Sequence, residues 1–275
     1  MAALVLPAAL LVFTLLVAPM ALLARISLNH YSPTELMVEA FTAENYIRAV
    51  ADPYYQQVLA TTLGVAFLCT VLTVLLGFPA AYWLARMESN RKSIATILTL
   101  LPLLVGNVVR SAGWMALLGN EGGINAALRA LHLTSGPLQL LYTPGAVIVG
   151  ITAVVLPYMV LTLAAVIESI PRQAEEAAAN LGATASTVFR RVVLPLSLPG
   201  VAAGSVLVFI LCMNAYATPL LLGGPQFKMM APAVYDQFVR GNNWPFGAAL
   251  AFILLVATLV LTVIGSMALS RRYRG

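Results

Sequence analysis

Six long runs of apolar residues limit what this chain can fold into more than any other feature of its sequence. Five of the six contain no Asp, Glu, Lys or Arg, and the third contains only Arg110. A helix needs about 20 apolar residues to cross the hydrocarbon core of a bilayer, which is roughly 30 Å thick. We therefore predict six transmembrane helices. They are Ala2–Ala24, Val58–Ala85, Ile94–Leu118, Gly145–Ile167, Gly200–Leu222 and Phe246–Leu269.

The composition supports a membrane protein. Only 9% of the 275 residues are charged and the mean hydropathy is +0.92, which leaves too little polar surface for a water-soluble globule. We expect an all-α, polytopic membrane protein with a single transmembrane domain over residues 1–275. The first run exceeds the roughly 7 to 15 apolar residues of a signal peptide, and no Lys or Arg precedes it, which favours a membrane anchor.

The basic residues of the connecting loops predict the orientation. One side collects nine of them: Arg86, Arg91, Lys92, Arg172, Arg190, Arg191, Arg271, Arg272 and Arg274. The other side collects five: Arg25, Arg48, Arg129, Lys228 and Arg240. The first side, with both termini and the loop 168–197, is therefore predicted to face the cytoplasm. The net charge of +5 reflects this topology and indicates no nucleic-acid partner.

The loop 168–197 is predicted to contain two short helices. Strong helix formers fill Gln173–Leu181, and Gly182 follows where a left-handed helix cap needs a residue without a Cβ. Thr184 is a suitable N-cap for a second helix that runs to about Val193, and Pro195 is expected to stop it. We call residues 168–197 the inner loop.

The second short helix carries an apolar stripe of Val188, Phe189, Val192 and Val193. Two interpretations stay open at this point. The stripe can pack against the chain's own transmembrane helices, or it can dock on another protein. Glu176 in the first short helix is similarly open, because it can pair with Arg172 or Arg190 within the loop or face a partner.

The sequence from Glu176 to Pro195 reads EAAANLGATASTVFRRVVLP. It resembles the EAA motif of the permease subunits of type I ATP-binding-cassette (ABC) importers, with Val192 where the family more often has Ile. The resemblance implies a coupling helix that docks in a groove of a soluble ATPase. Glu176 then meets polar groups at the groove, Ala177 and Ala178 allow close approach, and Gly182 sets the angle between the helices. The implied ATPase-coupling residues are Glu176, Ala177, Ala178, Gly182, Thr184, Phe189, Leu194 and Pro195.

The sequence motifs indicate no catalytic or ATP-binding site in this chain. The sequence contains no GxxxxGK[ST] phosphate-binding loop, no GxSxG nucleophile motif and no paired metal-ligand spacing around His30 or His132. We expect no catalytic residue, metal or bound cofactor, with ATP and magnesium held by a partner. The resemblance implies two ATPase subunits, a second homologous permease subunit and an extracytoplasmic solute-binding protein in a bacterial inner membrane, in contact with lipid.

Polar residues in the third predicted span are candidates for a solute path. Asn107, Arg110, Ser111 and Trp114 are spaced so that they share one helix face. Arg110 is open to two interpretations: it can reach the outer membrane surface, or it can lie on a central seam as a gate or an anion contact.

The fifth predicted span offers a second set of path residues. Asn214 and Thr218 share a face just before Pro219, where broken backbone hydrogen bonding could line a cavity or where helices could pack. Tyr216, and Asp236 in the following loop, are further candidates near the outer mouth. Gly200 and Gly204, by contrast, indicate close helix packing.

The outer loops carry GGPQ from Gly223 and NWPFGAALA from Asn243. These resemble the permeases of spermidine and putrescine importers, which implies polyamine import by alternating access through half of a two-permease pore. Related permeases are linked to opines, phosphonates and amino-acid-like or other small polar solutes, and these stay open because the predicted spans contain no carboxylate for a polycation. A secondary transporter driven by an ion gradient is the alternative class, although it would favour Asp or Glu within the membrane.

Overall fold

A computed structural model describes residues 2–271. All the regular secondary-structure elements of these residues are helices, which confirms the predicted all-α fold. The helices are α1 Ala2–Ser27, α2 Glu44–Ala51, α3 Pro53–Arg86, α4 Ser89–Leu104, α5 Asn107–Leu118, α6 Gly123–Ala130, α7 Pro144–Ser169, α8 Arg172–Asn180, α9 Ala185–Val188, a π-helical turn Phe189–Val193, α10 Leu194–Met213, α11 Ala217–Leu222, α12 Met230–Val239 and α13 Trp244–Arg271. Arg272 and Arg274, two of the basic residues used to predict the orientation, lie outside the described residues.

Among residues 2–271, five stretches of helix are long and apolar enough to cross a membrane. They are Leu10–Ser27, Pro53–Arg86, Pro144–Ser169, Ala185–Met213 and Trp244–Met267. A sixth span exists if the bent pair formed by residues 90–104 and 107–130 is counted as one. The predicted number of six spans therefore holds only with a broken third span.

The prediction of one uninterrupted helix over Ile94–Leu118 is wrong. The chain bends by 93° between α4 and α5, because Val105 and Gly106 adopt extended backbone with ψ of 127° and 143°. Pro102 stands one turn earlier, and glycine is a poor helix former, so both residues weaken the helix at this point. The predicted face shared by Asn107 and Trp114 therefore belongs to α5 alone.

The prediction for the fifth span is wrong at both ends. Helix α10 begins at Leu194 and ends at Met213, and the short α11 starts only at Ala217. In a continuous helix the ring of Pro219 would clash with the carbonyl group of Ala215. The interruption before α11 places Pro219 in the first turn of a new helix, where proline is tolerated.

The described residues form two compact units. The first contains the chain up to Thr61 with Met229–Ala257, and the second contains Thr62–Lys228 with the chain from Thr258 onward. In the first unit, the buried ring of Phe246 packs edge-on against Tyr55 with 5.0 Å between ring centroids. In the second unit, α7 supplies many of the fully buried side chains, among them Met159 and Leu163.

Small residues let α10 approach α7 closely, as predicted for Gly200 and Gly204. A Cβ atom added to Gly200 would lie 2.8 Å from the Cβ of Val166, and one added to Gly204 would lie 2.6 Å from the sulfur of Met159. On the other side of that methionine, a Cβ on Gly77 of α3 would lie 3.0 Å from its Cγ. Met159 is thus held between two glycines, one from each neighbouring helix.

We expect Gly200→Ala to lower the thermal unfolding temperature of the purified protein. The new methyl group overlaps the branched side chain of Val166, which has little freedom to move away in a packed helix pair, and overpacking of this kind costs about 1–3 kcal/mol. The matched control is Gly64→Ala in α3, where nothing lies within 4 Å of the added Cβ. Equal unfolding temperatures for the two variants would contradict the close α7–α10 contact.

Candidate functional site

The turn of the inner loop has the geometry predicted for it. Gly182 has φ of +87°, and its N–H donates to the carbonyl of Ala179 at 2.9 Å. The N–H of Ala183 donates to the carbonyl of Ala178 at 3.1 Å. These two bonds form a Schellman cap on α8, which needs a residue that tolerates left-handed backbone. Nothing lies within 4 Å of a Cβ added at Gly182, so the glycine is required by its backbone and by no neighbouring atom.

The second short helix begins as predicted but does not end as predicted. The hydroxyl of Thr184 accepts a hydrogen bond from the N–H of Thr187 at 3.4 Å, which caps α9. Pro195 does not stop this helix. A π-helical turn over Phe189–Val193, in which the N–H of Leu194 bonds to the carbonyl of Phe189, leads directly into α10. The wider turn places Pro195 in the first turn of α10, where its missing N–H is tolerated.

The apolar stripe of the second helix packs partly against the chain's own helices, in line with the first of its two interpretations. Val188 and Val193 are buried. The ring of Phe189 meets Phe78 and Tyr82 of α3 edge-on, with centroid distances of 5.4 and 6.2 Å. Phe189 therefore contacts the chain's own transmembrane helix, where it joins the inner loop to α3.

The carboxylate of Glu175, just before the stretch that resembles the EAA motif, anchors the inner loop. Glu175 forms an ion pair with Arg86 at the end of α3, and both side chains are largely buried, with 16% and 15% of their surfaces exposed. The Tyr82 hydroxyl donates to the second carboxylate oxygen of Glu175 at 2.9 Å. The Arg86 guanidinium also donates to the carbonyl of Ile170 at 3.3 Å, just before α8. We call Tyr82, Arg86 and Glu175 the loop anchor.

Two further contacts tie the inner loop to α3 and α4. The Arg172 guanidinium donates to the carbonyl of Arg86 at 3.0 Å, which caps the end of α3. Lys92 of α4 pairs with Glu168 at the end of α7 at 2.8 Å. From the sequence, Arg86 and Lys92 contributed only to the predicted orientation, and Glu175 was not singled out. The paired glutamates at 175 and 176 were the one signal that could have drawn attention to it.

The remaining residues of the predicted coupling set are exposed or half-buried. Glu176 and Ala177 are exposed, Ala178 is half-buried, and the side chain of Leu181 at the turn is 90% exposed. Within the described part of the chain, Glu176 makes no ion pair with Arg172 or Arg190. Leu194 is half-buried and Pro195 exposed. The adjacent glutamates thus point to different surroundings, Glu175 towards the chain and Glu176 away from it.

A cavity of about 420 Å³ in the second unit brings together candidates from both predicted path segments. Its lining includes Asn107 of α5 and Asn214, Tyr216 and Thr218 around the break before α11. Tyr158 of α7 also lines it and was not predicted as a path residue. Its remaining lining residues are Val108, Ile151, Val154, Val155, Ile210, Leu211, Ala215 and Ala217, so no carboxylate is among the described residues of the wall.

The helices that follow the two breaks, α5 and α11, contact each other next to this cavity. The Ser111 and Thr218 hydroxyl groups are 3.2 Å apart and buried, which hydrogen-bonds α5 to α11. Gly150 lets α11 approach α7, because a Cβ there would lie 2.6 Å from Leu222 and 2.7 Å from Thr218. Ser111 therefore supports the cavity wall and holds Thr218 in place.

Arg110 and Trp114 do not line the cavity. Arg110 donates through Nη2 to the carbonyl of Val105 and to Oδ1 of Asn107, both at 3.0 Å. Arg110 therefore supports the break between α4 and α5, and its Nε and Nη1 atoms are buried without a hydrogen-bond partner among the described residues. Asp236 belongs to the first unit, where it forms an ion pair with Arg240 at 3.4 Å.

Residues 131–274, which contain the inner loop, match the family model described as "Binding-protein-dependent transport system inner membrane component". The chain belongs to this family. It is a permease subunit of an ABC importer, a transport subunit of a multi-pass family of the bacterial inner membrane.

Similar proteins are named for the transport of different solutes. The chain is 34% identical over 224 residues to the spermidine/putrescine transport system permease protein PotB of Escherichia coli strain K12, covering 81% of each chain. It is 33% identical over 216 residues to the molybdenum transport system permease protein ModB of Mycobacterium bovis, covering 78% of this chain and 80% of that one. A solved bacterial ABC transporter involved in the import of the acidic polysaccharide alginate has the same fold, with a TM-score of 0.78, 19% identity and coverage of 98% of this chain and 94% of that chain.

Proposed function

We propose that this permease forms half of the pore of an ATP-driven, binding-protein-dependent importer of small polar solutes, most closely of the polyamine class. The similarity to the spermidine/putrescine permease over about four fifths of both chains is the observation that carries this assignment. The proposed machine contains a second permease subunit, two ATPase subunits that hold ATP and magnesium, and an extracytoplasmic binding protein. This chain itself binds no cofactor in the proposal.

The cavity is a reasonable resting place for a polyamine. Tyr158 and Tyr216 offer aromatic faces, which attract ammonium groups, and the side-chain oxygens of Asn107 and Asn214 can accept N–H bonds. Without a carboxylate in the wall, attraction stays weak, which suits a site that must release its solute. The same amide, hydroxyl and phenol groups favour a second candidate, an uncharged or zwitterionic polar solute, such as an opine or an amino-acid-like compound.

The inner loop supplies the connection to the ATPase. In the proposal, Glu176 and Ala177 contact the ATPase groove through the exposed surface of α8, and the half-buried Ala178 allows close approach. Movement of the loop reaches α3 through the loop anchor and α10 through the π-helical turn, because both connections are contacts within the second unit. ATP binding thereby drives the membrane helices between inward-open and outward-open states.

The test is uptake into proteoliposomes that contain the assembled transporter. We expect labelled spermidine or putrescine to accumulate only when the binding protein is present and ATP is on the side of the membrane that carries the ATPase subunits. We expect this permease alone to transport neither solute. Accumulation driven by a proton or sodium gradient without ATP would identify a secondary transporter instead. ATP-dependent uptake of molybdate or an amino acid, with none of polyamines, would retain the machinery and replace the solute class.

A further inference from the structure

The connection between α1 and α3, residues 28–52, buries two polar side chains, Asn29 and Asn45. Helix α2 buries Asn45, whose side-chain amide donates to the carbonyl groups of Ser27 at 2.9 Å and Asn29 at 2.8 Å. Ala49, one turn further along the same face, is also buried. The buried face of α2 is therefore held to the end of α1 by hydrogen bonds.

The opposite face of α2 is apolar and uncovered. Ile47 and Val50 are 66% and 64% exposed, and they lie across the helix from Asn45, since successive residues turn by about 100°. Phe41, just before the helix, is 84% exposed, and Tyr54 in the first turn of α3 is exposed as well. We call Phe41, Ile47, Val50 and Tyr54 the apolar rim.

The charged side chains of α2 lie beside the apolar rim and are engaged elsewhere. Glu44 contacts Nδ1 of His30 at 3.0 Å. The Arg48 guanidinium lies over the ring of Phe246, 4.8 Å from its centroid. Glu44 and Arg48 are themselves exposed, so α2 presents apolar and charged side chains next to each other, as helices at a membrane surface do.

A candidate membrane-spanning helix flanks this connection on each side. Helix α1 ends at Ser27 and α3 begins at Pro53, and both are long and apolar enough to cross a membrane. The exposed surface of α1 is itself apolar from Leu10 to Leu22. The apolar rim therefore lies next to the ends of two candidate membrane-spanning helices, where a membrane surface is expected.

We propose that the apolar rim is a membrane-interface anchor, with α2 lying in the plane of the bilayer surface. Ile47 and Val50 insert at the boundary between headgroups and acyl chains, and Phe41 and Tyr54 flank them as interfacial aromatics do. Hydrophobic insertion drives the contact, because the connection carries the acidic residues Glu35, Glu39, Glu44 and Asp52. Zwitterionic phospholipid is the ligand. Its effect is to fix the connection between α1 and α3 relative to the bilayer.

The experiment measures the depth of single nitroxide labels on the full-length chain in phosphatidylcholine nanodiscs. Labels are attached to Ile47→Cys and, as a matched control on the same connection, to the exposed Glu35→Cys. We expect the ratio of collisions with oxygen to collisions with a water-soluble nickel chelate to be several-fold higher at position 47. Adding phosphatidylglycerol should leave that ratio unchanged. The cysteine variants are made in the native chain, because its own Cys69 and Cys212 are buried and thus shielded from the label.

Equal ratios at the two positions would overturn the proposal. A label at position 47 that is open to the nickel chelate in lipid, and becomes protected only when the binding protein or second permease is added, would overturn it in favour of protein docking. Val50→Cys repeats the measurement if the first variant unfolds, and a thermal unfolding midpoint equal to that of the native chain qualifies each variant. The outcome does not depend on which solute is transported.

Discussion

Gly182→Val is expected to abolish most ATP-dependent uptake while leaving the chain inserted and assembled. The φ of +87° at this position costs an L-residue roughly 1–2 kcal/mol, and a β-branched side chain more. A penalty of that size lowers the population of correctly turned inner loops by about 5- to 30-fold. The affected turn lies between the exposed face of α8 and the helix that enters the membrane, so the ATPase would hydrolyse ATP without moving the pore.

The comparison with Gly182→Asn makes this prediction specific. Asparagine tolerates left-handed backbone, and a Cβ at position 182 meets nothing within 4 Å, so this variant should retain much of the uptake. Uptake and ATP hydrolysis are measured on the same proteoliposomes. Equal loss in both variants would show that the side-chain volume matters and would contradict a purely backbone requirement. Native uptake by Gly182→Val would remove the inner loop from the coupling mechanism.

Arg86→Met is expected to release the inner loop from α3 and to reduce uptake strongly. Removing one partner of a buried ion pair leaves the other uncompensated, at a cost on the order of 3 kcal/mol, and the residual exposure of this pair lowers that figure somewhat. The released loop should become sensitive to trypsin at the exposed Arg190 and Arg191. Digestion of the reconstituted chain, followed by mass spectrometry, measures this directly.

Glu176→Gln is the matched control for the loop anchor. Its carboxylate is exposed and lies beside Glu175 in the sequence, so the change should weaken capture of the ATPase without raising trypsin sensitivity. The double variant Arg86→Glu with Glu175→Arg should recover part of the protection lost in Arg86→Met. If Glu176→Gln exposed the loop to trypsin and Arg86→Met did not, the roles assigned to the two glutamates would be reversed.

The features of the inner loop that depend on local sequence were predictable. The cap at Gly182 and the N-cap at Thr184 depend on residues within one helical turn, and both occur as predicted. The number of spans depends only on the length of apolar runs. Family membership was likewise accessible, because the EAA motif is a continuous stretch of sequence.

The features missed depend on residues far apart in the chain. Arg86 and Glu175 are 89 residues apart, and nothing local to either marks the pair. The helix breaks were missed because a run of apolar residues has the same hydropathy whether or not it bends. Pro219 did signal an interruption, but its effect falls on the turn that precedes it, which moved the break upstream to residues 214–216. Tyr158 became a cavity residue only through the approach of α7 to that break.

The π-helical turn at Phe189–Val193 has a consequence for how such permeases diversify. Relative to a regular α-helix it holds one additional residue, so it offsets the rotational phase of the inner loop from that of α10 by about 100°. A single-residue insertion or deletion there would rotate the surface proposed to meet the ATPase, while the α10 side chains that line the cavity kept their places. The rotation of the inner loop about the helix axis can therefore change independently of the rotation of α10, although α9, the π-helical turn and α10 follow one another without a break.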